Sequence, residues 1–419
     1  MNNISGIESI LITHYEKYPS MQIQDMVKLI YQNEFAGGHF IASKAESLER
    51  LEQELCDIAG LMESYAESDA PAIGCGSNSD INDDIVSGQL FEDIGNGLCR
   101  LHLRGLISRQ LSTETVNRFF VYTANSNKGS RAGFEEKLGV LRDCCEKGSL
   151  PFSASDLDNY LFLYRKQGCP PLSHSEKYRE EYSPAYRIVK SVFCDYFEVF
   201  CRIDQLLNNL VIHNKEIFSG LARSSGQSGI SRLFGLSELS DLISLSDSEG
   251  HINVAIDGNS GAGKSSLATL LQEIYDCNIF HMDHFFLTPD LKSDERLNEA
   301  GGNVDYVRFK NEVIDGIRSG NEFKYHIYDC SNGSLDKVVN VSPKKLNIIE
   351  GSYSMHPTLA DSYDLKIFLS IDANEQSRRI LKRNGPFLHE KFLSLWIPLE
   401  NRYFSELNIL SRCDLVINA

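Results

Sequence analysis

The sequence predicts two parts of different class. Residues 1–218 read as a mainly α-helical domain. Residues 251–419 read as a three-layer α/β domain on a five-stranded parallel sheet, with a linker at 219–250 between them. Three observations carry this. Short, near-continuous apolar runs alternate with helical segments in the second half, as strands covered on both faces do. Apolar residues recur three and four apart in the first half. Between the halves lies SGLARSSGQSG (219–229), small and polar like a flexible linker.

In the first half, IQDMVKLIYQNEF and AESLERLEQELCDIAGLMESYA have helical spacing. FEEKLGVLRDCCEKG and SDLDNYLFLYRKQG share it, and each ends at a Gly that can stop a helix. PAYRIVKSVFCDYFEVFCRIDQLLNNLVIHN reads as one long helix with Pro near its start. GSNSDINDD (76–84) reads as a loop, and ISRLFGLSELSDLISL, after the linker's polar start, as weakly helical. In the second half, INVAID (252–257) is the first strand and SSLATLLQEIY its helix. CNIFHMD (277–283), KLNIIEGS (345–352), LKIFLSID (365–372) and CDLVINA (413–419) follow as the other four strands.

Of the 419 residues, 42% are hydrophobic and 24% charged, which excludes a disordered or collagen-like chain. The net charge is −17, of which −12 falls in the first 250 residues. Such a chain repels a phosphate backbone, so no nucleic-acid partner is expected, and an anionic ligand fits the second half better. Eleven cysteines, an odd count with no C-x-x-C pair, fit free thiols in a reducing compartment. The first residues lack the pattern of a signal peptide, and no apolar run reaches membrane-spanning length. The expectation is a cytoplasmic protein with no membrane partner. Homo-oligomerisation stays open.

Gly258-Asn259-Ser260-Gly261-Ala262-Gly263-Lys264-Ser265 lies between the first strand and its helix, with Ser266 following. This is the G-x-x-x-x-G-K-S phosphate-binding loop in its confirming context. Glycines let successive N–H groups face one concavity, and the helix start adds positive potential. Lys264 is expected to reach the terminal phosphates and Ser265 to hold Mg²⁺. A dinucleotide fingerprint fails, because Ser266 stands where its third glycine would be.

Ligands of open parallel sheets lie beyond the carboxyl ends of the strands. Asp283 ends the second strand and Glu350 the third. A kinase acting on a hydroxyl needs a carboxylate at the attacking oxygen and another at the metal. Asp283 is assigned the first role and Glu350 the second. DANEQSRRILKRNG (372–385) puts Arg378, Arg379, Lys382 and Arg383 on a helix. Arg379 and Arg383, four apart, share a face and are the favoured phosphate-charge stabilisers.

These residues resemble the uridine kinase and phosphoribulokinase family of P-loop kinases. The likeness rests on GNSGAGKSS, Asp283-His284-Phe285-Phe286, Tyr328-Asp329, Glu350-Gly351 and RRILKR (378–383), in order over about 160 residues. The resemblance implies ATP with Mg²⁺ as donor, Asp283 as catalytic base and the arginine-rich helix as a lid. GGNVDYVRF (301–309), after a polar stretch, offers Asp305, Tyr306 and Arg308 for the acceptor side, as do Tyr325, Tyr328 and His356, and the family's Tyr328-Asp329 pair adds Asp329. The segment after Tyr328-Asp329, CSNGSLDK, carries Lys337 where the family has a basic or histidine-containing loop.

Residues 1–218 match no family motif but hold three polar clusters. They are Glu34 to His39; Arg100, His102 and Arg104, alternating on one strand face; and His174-Ser-Glu176-Lys-Tyr178 with Tyr182, Tyr186 and Arg187. If they converge, Glu34, His39, His102 and His174 form a metal or acid–base site. The functional readings are therefore an ATP-dependent kinase for a nucleoside- or sugar-like metabolite, a nucleotide-dependent switch acting on the helical domain, or a bifunctional enzyme. A GTPase is disfavoured, because no N-K-x-D segment occurs and no D-x-x-G follows the third strand.

Overall fold

A computed structural model describes residues 4–37, 41–67, 90–107, 109, 111–224, 250–330 and 332–419. Loop 76–84, His39 and the linker from residue 225 to 249 lie outside them. The chain divides into two compact units, Met1–Cys201 and Arg202–Ala419.

In the first unit, helices α1 (Ile4–Lys17), α2 (Ile23–Phe35) and α3 (Lys44–Glu67) come first. Strands β1 (Phe91–Gly95) and β2 (Leu98–His102) follow, then α4 (Thr113–Ser126), α5 (Arg131–Glu146), α6 (Ala154–Lys166), α7 (Glu176–Tyr182) and β3 (Tyr186–Lys190). Ser112, Ser130, Ser153 and Ser175 start α4 to α7, each accepting a backbone N–H with its hydroxyl. The unit is thus mainly helical around a three-stranded antiparallel sheet, β1-β2-β3.

Strand β3 corrects the reading of residues 184–214 as one helix. Tyr186–Lys190 pairs antiparallel with β2, Ile188 opposite Arg100 and Val189 opposite Cys99. The β-branched Ile188 and Val189 are buried, and this tertiary pairing overrides the weak helical pattern. The chain then enters helix α8 (Phe197–Ser224), which runs past residue 219. The unit boundary falls inside α8, after Cys201, and Tyr275 of the second unit donates to Asp204 (2.9 Å).

A charged network lies inside the first unit. Glu92 and Arg100 are cross-strand partners in β1 and β2, bonded at 3.2 Å, and both are buried. Glu92 also accepts from Lys17 (2.9 Å) and Tyr18 (2.8 Å). Burial alone would raise its carboxyl, but Arg100, His14 and Lys17 outweigh that and hold it down to about 2.

The second unit carries β4 (Ile252–Gly258), α9 (Lys264–Ile274), β5 (Cys277–His281), β6 (Phe323–Asp329), β7 (Ser334–Val341) and β8 (Leu346–Glu350). After these come β9 (Leu365–Ser370), α10 (Ala373–Lys391), α11 (Ile397–Glu406) and β10 (Leu415–Asn418). The five-stranded sheet is parallel throughout, in the order β10-β9-β4-β8-β5. All five strands are those expected from sequence. The hairpin β6–β7 was not expected and forms a separate two-stranded sheet. Helix α10 is broken at Gly385, whose backbone (φ 75°, ψ 171°) is not helical, just before Pro386.

The Glu92 network sets an acid limit on the first unit. Its folded pKa lies below the ordinary value, so its stabilisation is complete above about pH 4.5 and is lost as pH falls towards 2. Glu92→Gln is expected to cost the first unit about 3 kcal/mol at pH 7 and nearly nothing below pH 2. Amide exchange of β1–β3 against pH reads this without interference from the second unit. Equal protection in variant and parent at pH 7 would contradict it.

Candidate active site

The sheet order reverses beside β4, so a crevice opens at the carboxyl ends of its strands. The chain leaves β4 through Gly258 (φ 139°), where a Cβ would lie 2.1 Å from the Leu369 carbonyl oxygen. Only glycine fits this pass between β4 and β9. Gly261 and Gly263 also take positive φ, and α9 starts at Lys264, so Gly258 to Ser266 form the expected loop and helix start.

Lys264 is buried. Its ammonium donates to the carbonyls of Gly258 (2.7 Å) and Asn259 (3.1 Å) and to Ser352 Oγ (3.3 Å). Ser265 Oγ donates to the Glu350 carboxylate, 3.1 Å from each oxygen. Loop and third strand end therefore meet. His281, last residue of β5, bonds Glu350 Oε1 through Nδ1 (2.5 Å), and this bond raises its pKa.

Asp283 opens the turn after β5. Water reaches its side chain, but the protein packed round it and the charge of Glu350 push its carboxyl above the ordinary range; Lys264 and His281 act against that shift. The carboxylate thus lies within electrostatic reach of both the loop lysine and Glu350. His284 beside it is held down to about 4, chiefly by burial, and stacks on Tyr325 with ring centres 6.0 Å apart.

One group at the loop was missed. Glu400 of α11 is buried, and its carboxylate accepts from the Ser260 N–H (3.0 Å), Ser260 Oγ (2.5 Å) and Ser352 Oγ (2.7 Å). It ties the loop to the segment after Glu350. No local motif marks it, because it lies 140 residues from Ser260. Asp257, the last residue before the loop, is fully buried. It accepts from the N–H groups of Gly258 (2.7 Å) and Met355 (3.0 Å) and from the Tyr403 hydroxyl (2.8 Å), and burial pushes it up to about 6.

The start of α10 touches the loop. Gln376 donates to the Ser260 carbonyl (2.9 Å) and Arg379 to that of Gly261 (3.4 Å). Arg379 and Arg378 also share Glu375, and Arg383 bonds Asn384 next to the break in the helix. Arg379 is therefore at the loop, and Arg383 one turn further out.

The acceptor-side candidates have structural partners. Asp305 accepts the Arg308 N–H (3.0 Å). Arg308 donates to the carbonyls of His326 (2.6 Å) and His284 (3.0 Å) and lies over Phe285, so it fastens the Asp283 turn to β6. Tyr306 stacks on His356 at 3.8 Å, with the Arg296 guanidinium 3.9 Å from its ring centre. Tyr328 is buried in β6, and Asp329 pairs with Lys337 (2.8 Å). The polar clusters of the first unit only partly converge. Glu34 bonds Lys137 (2.6 Å) and Ser130, whereas His174 joins Asp25 and Tyr186.

Ser265 and Glu350 offer hard oxygen donors of the kind Mg²⁺ takes. Among the described residues no group of three or more His, Cys, Asp and Glu side chains could hold a metal ion. A magnesium ion here would draw most of its ligands from phosphate and water. None of the described cysteines forms a disulfide, and no described helix is long and apolar enough to cross a membrane.

Replacing Glu400 by Gln keeps the size and an acceptor oxygen but removes a negative charge from the loop mouth. Pyrophosphate is expected to bind about three- to tenfold tighter to the variant by calorimetry. Weaker binding would show that the carboxylate acts as a brace alone.

No family model matches the chain. A uridine kinase from Chlamydia pneumoniae is 28% identical over 144 residues, 31% of this chain and 61% of that protein. This chain therefore spans under two thirds of the length of the relative it matches. A solved structure described as a possible uridine kinase from Bacillus stearothermophilus is 20% identical and has a TM-score of 0.32, covering 43% of this chain and 99% of the other. A shikimate kinase from Bacteroides thetaiotaomicron is 13% identical with a TM-score of 0.22, covering 40% and 86%. The C-terminal half of this chain, a P-loop α/β unit on a five-stranded parallel sheet, resembles uridine kinase.

Proposed function

We propose that the second unit is an ATP-dependent small-molecule kinase, transferring the γ-phosphoryl group to a hydroxyl of a nucleoside- or sugar-like metabolite. The observation that carries this is the placement of Asp283, a carboxylate with a raised pKa in electrostatic reach of Lys264 and Glu350. A nucleotide switch has no need of such a group. The likeness to uridine kinase supports the same reading.

The loop N–H groups and Lys264 grip the phosphate chain. Ser265 and Glu350 would hold Mg²⁺, which would supply neutralising charge on the phosphates. Asp283 orients the acceptor hydroxyl and takes its proton as the oxygen attacks the γ-phosphorus and ADP leaves. Arg379, already at the loop, stabilises charge on the transferred group, and Arg383 joins it when the lid closes. On the acceptor side, Asp305 and Arg308 hold the Asp283 turn in place. Tyr306, Tyr328 and Asp329 bound the pocket.

Asp283→Asn is expected to lower acceptor-dependent ADP production by about 10²- to 10⁴-fold, with ATP–Mg²⁺ affinity kept. A panel of nucleosides and sugars, with ADP release as readout, tests this. ATP turnover that ignores every acceptor and survives the substitution would refute the kinase reading.

The base must be ionised to work, and its pKa is raised. Activity is therefore expected to fall on the acid side at a pH above that of an ordinary aspartate, near 4. The pH profile of kcat/KM reads this limb, and a limb at or below pH 4 would contradict the assignment.

A further inference from the structure

The first unit holds a cavity of about 1200 Å³ between α2, α3, the 169–174 segment and the start of β3. It is unconnected with the phosphate loop in sequence, and nothing in the kinase reading uses it. Two things about its wall distinguish it from a packing defect.

The first is a hydrogen-bonded relay that ends on the wall. Asp25 of α2 is fully buried and bonds His174 Nδ1 (2.9 Å), the Ser175 N–H (3.0 Å) and Ser175 Oγ (2.5 Å). His174 Nε2 meets the Tyr186 hydroxyl at 2.5 Å. Burial holds the His174 pKa down to about 4, so the ring is neutral at pH 7. With Asp25 ionised, the ring proton sits on Nδ1, and Nε2 accepts from Tyr186. Gln32 Nε2 donates to the same phenol oxygen (3.0 Å), and the buried Arg100 guanidinium lies 4.7 Å from the Tyr186 ring centre. Burial raises the pKa of this phenol, and the charges of Glu92 and Asp25 add to that; Arg100 and Gln32 act the other way and are what favours its anion. His174 and Tyr186 both line the cavity.

The second is an unspent cation. Lys28 and Gln32, one turn apart on α2, face the same space. Arg187 on the wall is already paired with Glu54 (2.7 Å). Among the described residues Lys28 has neither an ion-pair nor a hydrogen-bond partner. Burial and nearby Arg100 lower its pKa to about 8. On the exposed rim Arg50 stands with the acids Glu46 and Asp57, so the inner, half-buried Lys28 is the cation left for an anionic group.

We propose that this cavity is a second small-molecule site, for a compact anionic metabolite, in which Lys28 meets the anionic group and the Asp25–His174–Tyr186 relay exchanges a proton with an adjacent hydroxyl or acidic carbon. Tyr186 passes its proton to His174 Nε2, and Asp25 holds the imidazolium that results. The phenolate, steadied by Gln32 and Arg100, takes the proton of the ligand. The reverse sequence returns both protons. The shared chemistry of the ligand is a small anion, phosphoryl or carboxylate.

The full-length protein is treated with pyridoxal 5′-phosphate, an aldehyde that carries an anion, followed by borohydride. Peptide mass spectrometry reads each lysine separately, Lys264 included. Lys28 is expected to react at about tenfold lower reagent concentration than exposed lysines, with saturation. Inorganic phosphate and malonate are the competitors. Protection by phosphate alone assigns a phosphoryl group, and protection by malonate alone a carboxylate; protection by both assigns an unselective anion subsite. Ordinary reactivity of Lys28, or protection by neither, overturns the site. The relay is read by ¹⁵N NMR of the histidines. His174 is expected to keep its proton on Nδ1 from pH 5 to 8, and Tyr186→Phe, which preserves the ring, is expected to shift Nε2. A His174 that titrates near pH 6.5, or ignores Tyr186→Phe, overturns the relay. Lys28→Gln, which leaves the relay in place, is expected to abolish the fast labelling even if the Tyr186 variant folds poorly.

Discussion

The second unit depends on one close approach, that of Gly258 to the Leu369 carbonyl. A side chain there would force β4 and β9 apart. The backbone then could not turn sharply enough to aim successive N–H groups into one concavity. The same turn sets where α9 begins, and so where Lys264 and Ser265 sit. Ser265 reaches Glu350 only because β8 lies next to β4, with Ile256 in register with Glu350. Strand order and one glycine together assemble the phosphate loop and its acid partner.

The acids of this site have different surroundings. Glu350 is buried and hydrogen-bonded to Ser265 and His281. Glu400 has three donors of its own. For Asp283 the protein packed round it, and then the charge of Glu350, raise the pKa above that of an ordinary aspartate. Asp257 is a different case. It is spent on two backbone N–H groups and Tyr403, and braces the base of the loop.

What could be read from sequence was whatever is encoded locally. Residues 258–265 are contiguous, and Asp283 and Glu350 end apolar runs whose strand character is plain. All five parallel strands follow from the same apolar runs. Residues joined over long separations were not legible. Glu400 meets Ser260 across 140 positions, and Asp25 meets His174 across 149. The β6–β7 hairpin was missed because its strands alternate weakly, with Lys337, Val338 and Val339 largely exposed or only half-buried. YRIVK was read as helix because the helical pattern after it was extended backwards. Its partner, β2, lies more than 80 residues upstream. Arg100, His174 and Tyr186 were each singled out, but their meeting depends on the three-stranded sheet, which only the structure reveals.

That sheet also settles how charge is used in the first unit. Arg100 cannot reach a ligand, because it is fully buried and its guanidinium is committed to Glu92 and Gln32. Its influence on the cavity passes through the Tyr186 ring above it. Glu92 in turn is committed to Arg100, Lys17 and Tyr18, and its charge offsets part of the Arg100 charge felt by Tyr186. Behind Tyr186, Arg100 favours the phenolate while burial and the charges of Glu92 and Asp25 oppose it, so the resting phenol keeps its proton. A purely structural cluster would gain more by pairing Lys28 with one of the acids already present in the unit. Leaving that amine free beside a tyrosine and a neutral histidine costs stability, and such a cost is a mark of a site that acts on something.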